Sequence, residues 1–442
     1  MKHKRLRRNK MLREKITIYF SIFGIISIIS WIPFLRPSYS EVEKRELSKF
    51  PEFSIESLLN KEYFNGISLW FSDTFPFRDN LITLNGFIKE LYGISRTTIY
   101  GSPDQGEEIP DNADRFNNES SSGVYENNES NEKDEKEVET DNLETKSLNG
   151  VLVVGNSAYE YYSFVKSLAD RYITVLNKFT NKVGADYNVY DILVPTSIDI
   201  MLPNNFRSTI NTSDQKKAIS YMFSAMDQNV NKIEIFDTLK SHKDEYLYFR
   251  TDHHWTALGA YYAYANLMNY KRENPIPVDD FEKIIFNNYL GSFYSQTGKK
   301  PELGNNPDQV IAYKTYNNAE MFFKDKNGQN IKWDIIKDVS EWSTGIKYNT
   351  FIGGDNPYTE ITNHDIENDN SCVVIKESFG NAFVPFLIPH YKKVYVLDYR
   401  YYKESNLQEF VKKNNCKDII FINNMSATRN ASLINRLETL TK

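Results

Sequence analysis

The 442-residue chain carries a net charge of −6, only two cysteines (Cys372 and Cys416), and an aromatic load of 30 Tyr and 28 Phe. That length and apolar content allow one large domain with additions or two to three average ones, while two distant cysteines make neither a disulfide scaffold nor a zinc site. Charge is unevenly laid out: residues 1–15 hold eight Lys/Arg against one Glu, and residues 102–149 hold fifteen Asp/Glu against four Lys/Arg. The remainder is nearly neutral and offers no basic face to a nucleic acid.

The basic segment 1–15 precedes Ile16 to Leu35, ITIYFSIFGIISIISWIPFL, which contains no charged residue. At about 1.5 Å per residue such a run spans a hydrocarbon core of about 30 Å. With the basic flank held in the cytoplasm, the rest of the chain is expected outside, as a single-pass membrane-anchored protein. A cleaved signal peptide is the rival reading. The run is longer than an ordinary h-region, and no small-x-small cleavage site follows Leu35.

Residues 41–100 read as a membrane-proximal helical segment, with apolar periodicity near 54–73 and 78–93, interrupted at Phe75-Pro76-Phe77. Residues 102–148 are rich in Asn, Glu, Ser and Asp and poor in aliphatic side chains, so they are expected to form a disordered acidic insertion. No ordered cation loop is visible in it.

From 149 to 442 strands and helices alternate. NGVLVVGN, NVYDILVPTS, NKIEIFDTL, CVVIKESFG, KKVYVLDY and CKDIIFINN read as strands; SFVKSLADRYITVLNKFTNKVG, residues 214–231 and ALGAYYAYANLMNY read as helices. This predicts a mostly parallel sheet with helices on its faces. Residues 278–350 lack the alternation and read as an insertion of irregular loops and hairpins. The two cysteines are expected to sit reduced and inert in strands, a single bridge remaining open. Working residues of such sheets collect past the C-terminal ends of strands, where Ser378, Asp398, Asn423 and the segment after Val194 fall.

Two stretches carry chemistry. Thr251-Asp252-His253-His254-Trp255-Thr256 packs a carboxylate, two imidazoles, an indole and two hydroxyls together. Asp252 and His254, two apart, project to one side if the chain is extended, so the carboxylate can bond one ring nitrogen while the other faces a substrate. Thr256 is placed to cap the next helix. Lys376-Glu377-Ser378-Phe379-Gly380-Asn381 follows an apolar strand and sets Ser378 on a strand-to-helix turn, where its own N–H joins an oxyanion hole. Three bland readings stand beside this one. Ser378 can be a helix N-cap, Asp252 and His254 a structural pair, and Asp-His-His a metal site, although adjacent histidines point apart in extended chain.

TDHHWTALGAYYAY, KESFGNAFVPFLIPHYKKVYVLDYR and the EKRELSKFP…FSDTFPFRDNL opening together resemble the DHHW family of bacterial surface proteins. These in turn resemble the alginate O-acetylation proteins, whose domain is SGNH-hydrolase-like with a permuted triad order. The resemblance implies an α/β three-layer sandwich over 149–442, with Ser378 as nucleophile, His254 as general base and Asp252 as its orienting acid. Glu377 departs from the Asp usual before the serine, which puts the nucleophile turn in doubt. Gly353, Gly354, Asn356 and Asn381 are candidate oxyanion donors. His253 and Trp255 are expected to orient the triad or line a sugar site, and Arg400 to be an ion pair or a substrate contact. The implied activity is an extracytoplasmic O-acetyltransferase acting on a surface or secreted polysaccharide, supplied with acetyl groups by a membrane-bound O-acyltransferase. No cofactor, metal or nucleic acid is called for. A polysaccharide acetylesterase with the same triad, and a non-catalytic polysaccharide-binding or assembly protein, are the alternatives.

Overall fold

The structure is a computed structural model. It describes residues 36–40, 45–51, 53–54, 58, 62–77, 106–110, 145–148 and 150–442 except 208–209 and 326, together with Ser21 and Gly24. The basic segment 1–15, the expected anchor apart from those two residues, the block near 78–93 and most of the acidic insertion lie outside the described residues. Among the described residues no helix is long and apolar enough to cross a membrane. The chain divides into two compact units, residues 1–96 and 97–442.

In the first unit β1 (Tyr39–Ser40) pairs antiparallel with β2 (Arg45–Glu46), and helix α1 covers Glu62–Asp73. It occupies the second part of the expected 54–73 block and stops ahead of Phe75-Pro76-Phe77. The Arg36 guanidinium lies 4.0 Å from the Trp70 ring centre and donates to Thr74 Oγ1 at 2.8 Å, tying the preceding segment to the helix end.

The second unit is α/β. Its small antiparallel sheet joins β3 (Thr145–Leu148), β4 (Val151–Val154) and β5 (Ser157–Glu160). Helix α2 spans Lys166–Val183, followed by β6 (Asn188–Val194), α3 (Gln215–Ala225), β7 (Val230–Lys232) and α4 (Ala257–Tyr270). β8 (Glu282–Tyr289) and β9 (Asp308–Lys314) form a separate antiparallel pair. Then come β10 (Ala319–Lys324), β11 (Asn330–Trp333), β12 (Tyr358–Asn363), β13 (Ser371–Lys376), β14 (Lys393–Asp398), α5 (Leu407–Lys413), β15 (Asp418–Asn424) and α6 (Ala431–Thr441).

The main sheet runs β11–β10–β12–β14–β13–β15–β6–β7. Its β14, β13, β15, β6 and β7 are mutually parallel, and β11, β10 and β12 add on antiparallel. The sheet is therefore mixed, and the expected parallel character holds for five of its eight strands. β12, left unassigned by the sequence, pairs antiparallel with β14, and two further corrections apply. β4, read as a parallel strand, belongs to the small antiparallel sheet. Residues 278–350, read as an insertion, contribute β10 and β11 to the main sheet itself.

The parallel strands are continuous apolar runs because helices cover both of their faces. On one face α2 sets Phe179 edge-on to Phe421, and α5 sets Phe410 edge-on to Tyr395. On the other, the 3₁₀ segment Val384–His390 packs on β12 and β14, and Tyr264 of α4 stacks on its Phe386 at 5.5 Å. Cys372 and Cys416 are both buried and free; burial pushes both thiols up, Cys416 to about 12, which leaves them unreactive.

Part of the acidic insertion is ordered, against expectation. Val165 offers α2 no side-chain cap, and the Lys166 N–H instead donates to Glu107 Oε2 at 2.7 Å while the Glu107 N–H bonds Phe164 O at 2.9 Å. A carboxylate brought from 59 residues away thus satisfies a helix N-terminus. At the far end of the insertion, β3 pairs with β4.

Candidate active site

Ser378 stands on the turn that leaves β13. All six strand residues are buried, so the strand is held rigidly and its C-terminal end is a fixed platform. Glu377 reaches back across the turn, where Oε2 accepts from Phe379 N at 3.1 Å and Oε1 accepts from Asn424 N at 3.0 Å. The longer acid at this position ties the turn to the end of β15, two strands joined by one carboxylate. Burial pushes the Glu377 carboxyl up. Gly380 is required for the close return of the chain, since a Cβ there would sit 2.5 Å from Lys376 Cβ.

The segment 250–256 is shaped by Asp308 at the start of β9. Its buried carboxylate accepts from Thr251 N (2.7 Å), Thr251 Oγ1 (2.6 Å), Arg250 N (3.1 Å) and Arg250 Nε (3.1 Å). Thr256 caps α4, as expected, accepting from Gly259 N at 3.3 Å. Between these two fixtures the chain bends rather than extends. The rings of His253 and His254 consequently lie 3.8 Å apart and do not point to opposite sides.

Asp252 Oδ1 bonds His254 Nδ1 at 2.6 Å, and His254 Nε2 bonds Ser378 Oγ at 2.7 Å. The carboxylate is further held by the N–H of His254 (3.0 Å) and the N–H of Ser292 (2.6 Å). Gly291 permits this approach, because a Cβ there would lie 2.2 Å from Asp252 Oδ2. Burial alone would raise the Asp252 carboxyl; the two imidazoles and the donors outweigh it, and the group is held well below the usual carboxylate range. The Ser378 hydroxyl has a second acceptor, Glu377 Oε2, at the longer distance of 3.2 Å.

The other expected residues fall as follows. Trp255 is fully buried and donates Nε1–H to Phe379 O at 2.9 Å, so it frames the nucleophile turn and cannot line a sugar site. His253 is 33% exposed and its Nδ1 bonds Ser292 Oγ at 2.6 Å. Burial pushes its imidazole down, with nearby His254 adding to the effect. Arg400 clasps Asp398 through Nε (2.8 Å) and Nη2 (2.6 Å) and reaches Asp355 Oδ1 at 2.9 Å. Lys376 joins the same cluster, at 2.9 Å from Asp398 and 3.3 Å from Asp355. Arg400 is thus bound into an ion-pair network.

Gly353 and Gly354 take positive φ, +70° and +82°, in a tight turn. Asn356 Nδ2 points back into that turn, to Gly353 O at 3.3 Å, and Asn381 Nδ2 donates to Asp355 Oδ1 at 2.9 Å. Both side-chain amides expected as oxyanion donors are engaged within the protein. What the Gly-Gly turn delivers to the nucleophile's surroundings is Asp355.

Tyr348, Asp308, Ser292 and Asp355 escaped the reading of the sequence. Tyr348, Asp308 and Ser292 lie near no recognisable motif, and Asp355 stands unremarked between Gly354 and Asn356; all four reach the site from elements distant in sequence from Asp252 and His254. Tyr348 matters most: its ring stacks on His254 at 4.0 Å and 11°, and its hydroxyl donates to Ser378 O at 3.1 Å.

Asp252, His253 and His254 place three donor atoms within 4.8 Å of one another, a spacing that suits a transition metal. A metal there would compete with the 2.6 Å Asp252–His254 bond and with the 2.6 Å His253–Ser292 bond. The arrangement fits proton transfer from a serine better than metal ligation.

A family model described as DHHW protein matches residues 43–144 and 120–397. A DHHW family protein from Eubacterium siraeum DSM 15702 has the same fold at 25% identity, with a TM-score of 0.61 over 67% of this chain and 97% of its own. Bacillus cereus PatB1, solved with a sulfonyl adduct, matches at 21% identity and a TM-score of 0.54, over 64% of this chain and 96% of its own. The O-acetyltransferase domain of Pseudomonas putida AlgJ is matched at 12% identity and a TM-score of 0.34, over 66% and 96%. A search of curated proteins returns no match.

Proposed function

The chain belongs to the DHHW family, and from that premise we propose that it is an extracytoplasmic O-acetyltransferase, modifying a cell-surface or secreted polysaccharide through an acyl-serine intermediate. The observation that carries this reading is the line Asp252–His254–Ser378, with contacts of 2.6 and 2.7 Å. On this reading the second unit is an SGNH-hydrolase-like three-layer sandwich with its triad in the order Asp–His–Ser. The run 16–35 anchors it to the membrane, beside an O-acyltransferase that supplies acetyl groups.

His254 Nε2 accepts the Ser378 proton as Oγ bonds to the carbonyl carbon of an acetyl ester. The proton then passes to the departing oxygen, and the acetyl group remains on Ser378. A sugar hydroxyl gives its proton to the same Nε2 and attacks the acetyl carbon; the proton returns to Ser378 Oγ as the ester to the sugar forms. Asp252 fixes the His254 tautomer and offsets the charge of the transient imidazolium. The N–H of Ser378 is the proposed oxyanion donor.

The test incubates the full-length protein with 4-nitrophenyl acetate, with and without oligosaccharide. Ser378→Ala and His254→Ala are each expected to lower turnover by about a thousand-fold or more, and a sulfonyl fluoride is expected to label Ser378. Turnover that survives Ser378→Ala would remove this residue from the chemistry. Hydrolysis without transfer to sugar would assign an esterase, and neither reaction a binding role.

A further inference from the structure

His254 is held on both ring faces. On one side lies His253, with ring centres 3.8 Å apart; on the other Tyr348 is nearly parallel to it at 4.0 Å. The Tyr348 hydroxyl lies over the nucleophile turn, where it donates to Ser378 O at 3.1 Å. Tyr348 is only 4% exposed, wedged edge-on against Phe249 and Phe351, at 6.1 and 5.4 Å between ring centres. Its position is therefore set by packing rather than by the groups it touches in the site.

We propose that Tyr348 is a positioning residue that couples base to nucleophile: its ring fixes the plane of the His254 imidazole, and its hydroxyl fixes the backbone carrying Ser378. The inference rests on the reading of Asp252, His254 and Ser378 as a catalytic triad. Two elements far apart in the chain meet here. Residues 250–256 bring the base and β13 brings the serine, 124 positions away. A rotation of the imidazole about its Cβ–Cγ bond would break its bonds to both Ser378 Oγ and Asp252 Oδ1. A parallel ring on one face and a second imidazole on the other oppose that rotation. When His254 accepts the proton, the electron-rich face of Tyr348 meets a cation, which favours the protonated ring.

The two roles separate by substitution. Tyr348→Phe keeps the stack and removes the hydroxyl, leaving Ser378 O without that donor. Tyr348→Leu removes both. For the full-length protein acting on 4-nitrophenyl acetate, kcat should fall about ten-fold in Tyr348→Phe and about a hundred-fold in Tyr348→Leu, with KM within two-fold. The His254 ring proton signal in NMR, shifted upfield by the stacked ring, should persist in Tyr348→Phe and move in Tyr348→Leu. Melting temperatures report whether either variant is simply unfolded. An unmoved His254 signal in a folded Tyr348→Leu protein overturns the proposal, as does an unchanged kcat. If Ser378→Ala retains turnover, the triad reading fails separately, while the NMR signal still decides whether Tyr348 fixes the ring.

Discussion

Asp252 shows how much a single carboxylate does at this site. It receives the imidazole N–H and two backbone N–H groups, so its shape as well as its charge is used. Asp252→Asn keeps the volume but presents an NH₂ where an acceptor is needed, favouring the wrong His254 tautomer. Turnover of an acetyl ester should drop by about ten-thousand-fold with little change in melting temperature; a loss under ten-fold would show that tautomer control is unimportant here. Asp191 tells a different story on β6. Its Oδ1 accepts from Tyr172 at 2.6 Å, Oδ2 meets no partner among the described residues, and burial pushes the carboxyl up to about 7. An unfolded aspartate titrates near about 3.9. Between about pH 4 and 7 the folded chain keeps a proton that the unfolded chain has lost, so this residue makes stability fall as pH rises through that window and level off above it. Asp191→Asn should flatten that slope, the difference between variant and wild type growing by about 1.4 kcal/mol per pH unit at most. Urea midpoints measured near pH 4.5 and 7.5 check this, and parallel curves for the two proteins would refute it.

At the level of elements, the ends of β13 and β14 carry a buried charge cluster beneath the nucleophile turn. Lys376 and Asp398 are 1% and 0% exposed, and Asp355 and Arg400 complete the group. Asp398→Asn would leave Lys376 and Arg400 without their closest carboxylate, and should destabilise by roughly 3–5 kcal/mol in urea melts; a shift below about 1 kcal/mol would mean that solvent relieves the cluster. β13, β14, β15 and β6 were legible because buried parallel strands are unbroken apolar runs. β12 was not: in YTEITN every second residue faces outward, and the motif-poor Asn/Asp surroundings look like loop. The same applies to the site. Asp252, His254 and Ser378 stand in short motifs, whereas Tyr348, Asp308 and Asp355 are chosen by folding, not by neighbours in sequence. The strand β4 was recognised correctly as a strand, and only its partners were wrong, since register and partner depend on the rest of the sheet.

The whole molecule poses the question of what the acidic stretch is for. Its two ends are built into the second unit: Glu107 caps α2, and β3 extends the small sheet whose last strand ends at Glu160. Glu160 accepts from Ser426 Oγ at 2.9 Å, and the Ala158 N–H of the same strand donates to Arg250 O at 2.9 Å, so the small sheet borders the segment that carries Asp252 and His254. The intervening residues 111–144 carry most of the negative charge but little apolar surface. Removing 111–144 and bridging the gap with a flexible glycine-serine linker should therefore leave ester turnover within two-fold and the melting temperature within a few degrees. Glu107→Ala in the intact chain should by contrast cost about 1 kcal/mol, the loss of a helix cap. If the deletion abolishes turnover while Glu107→Ala is neutral, the acidic stretch itself, and not its anchored ends, supports the site.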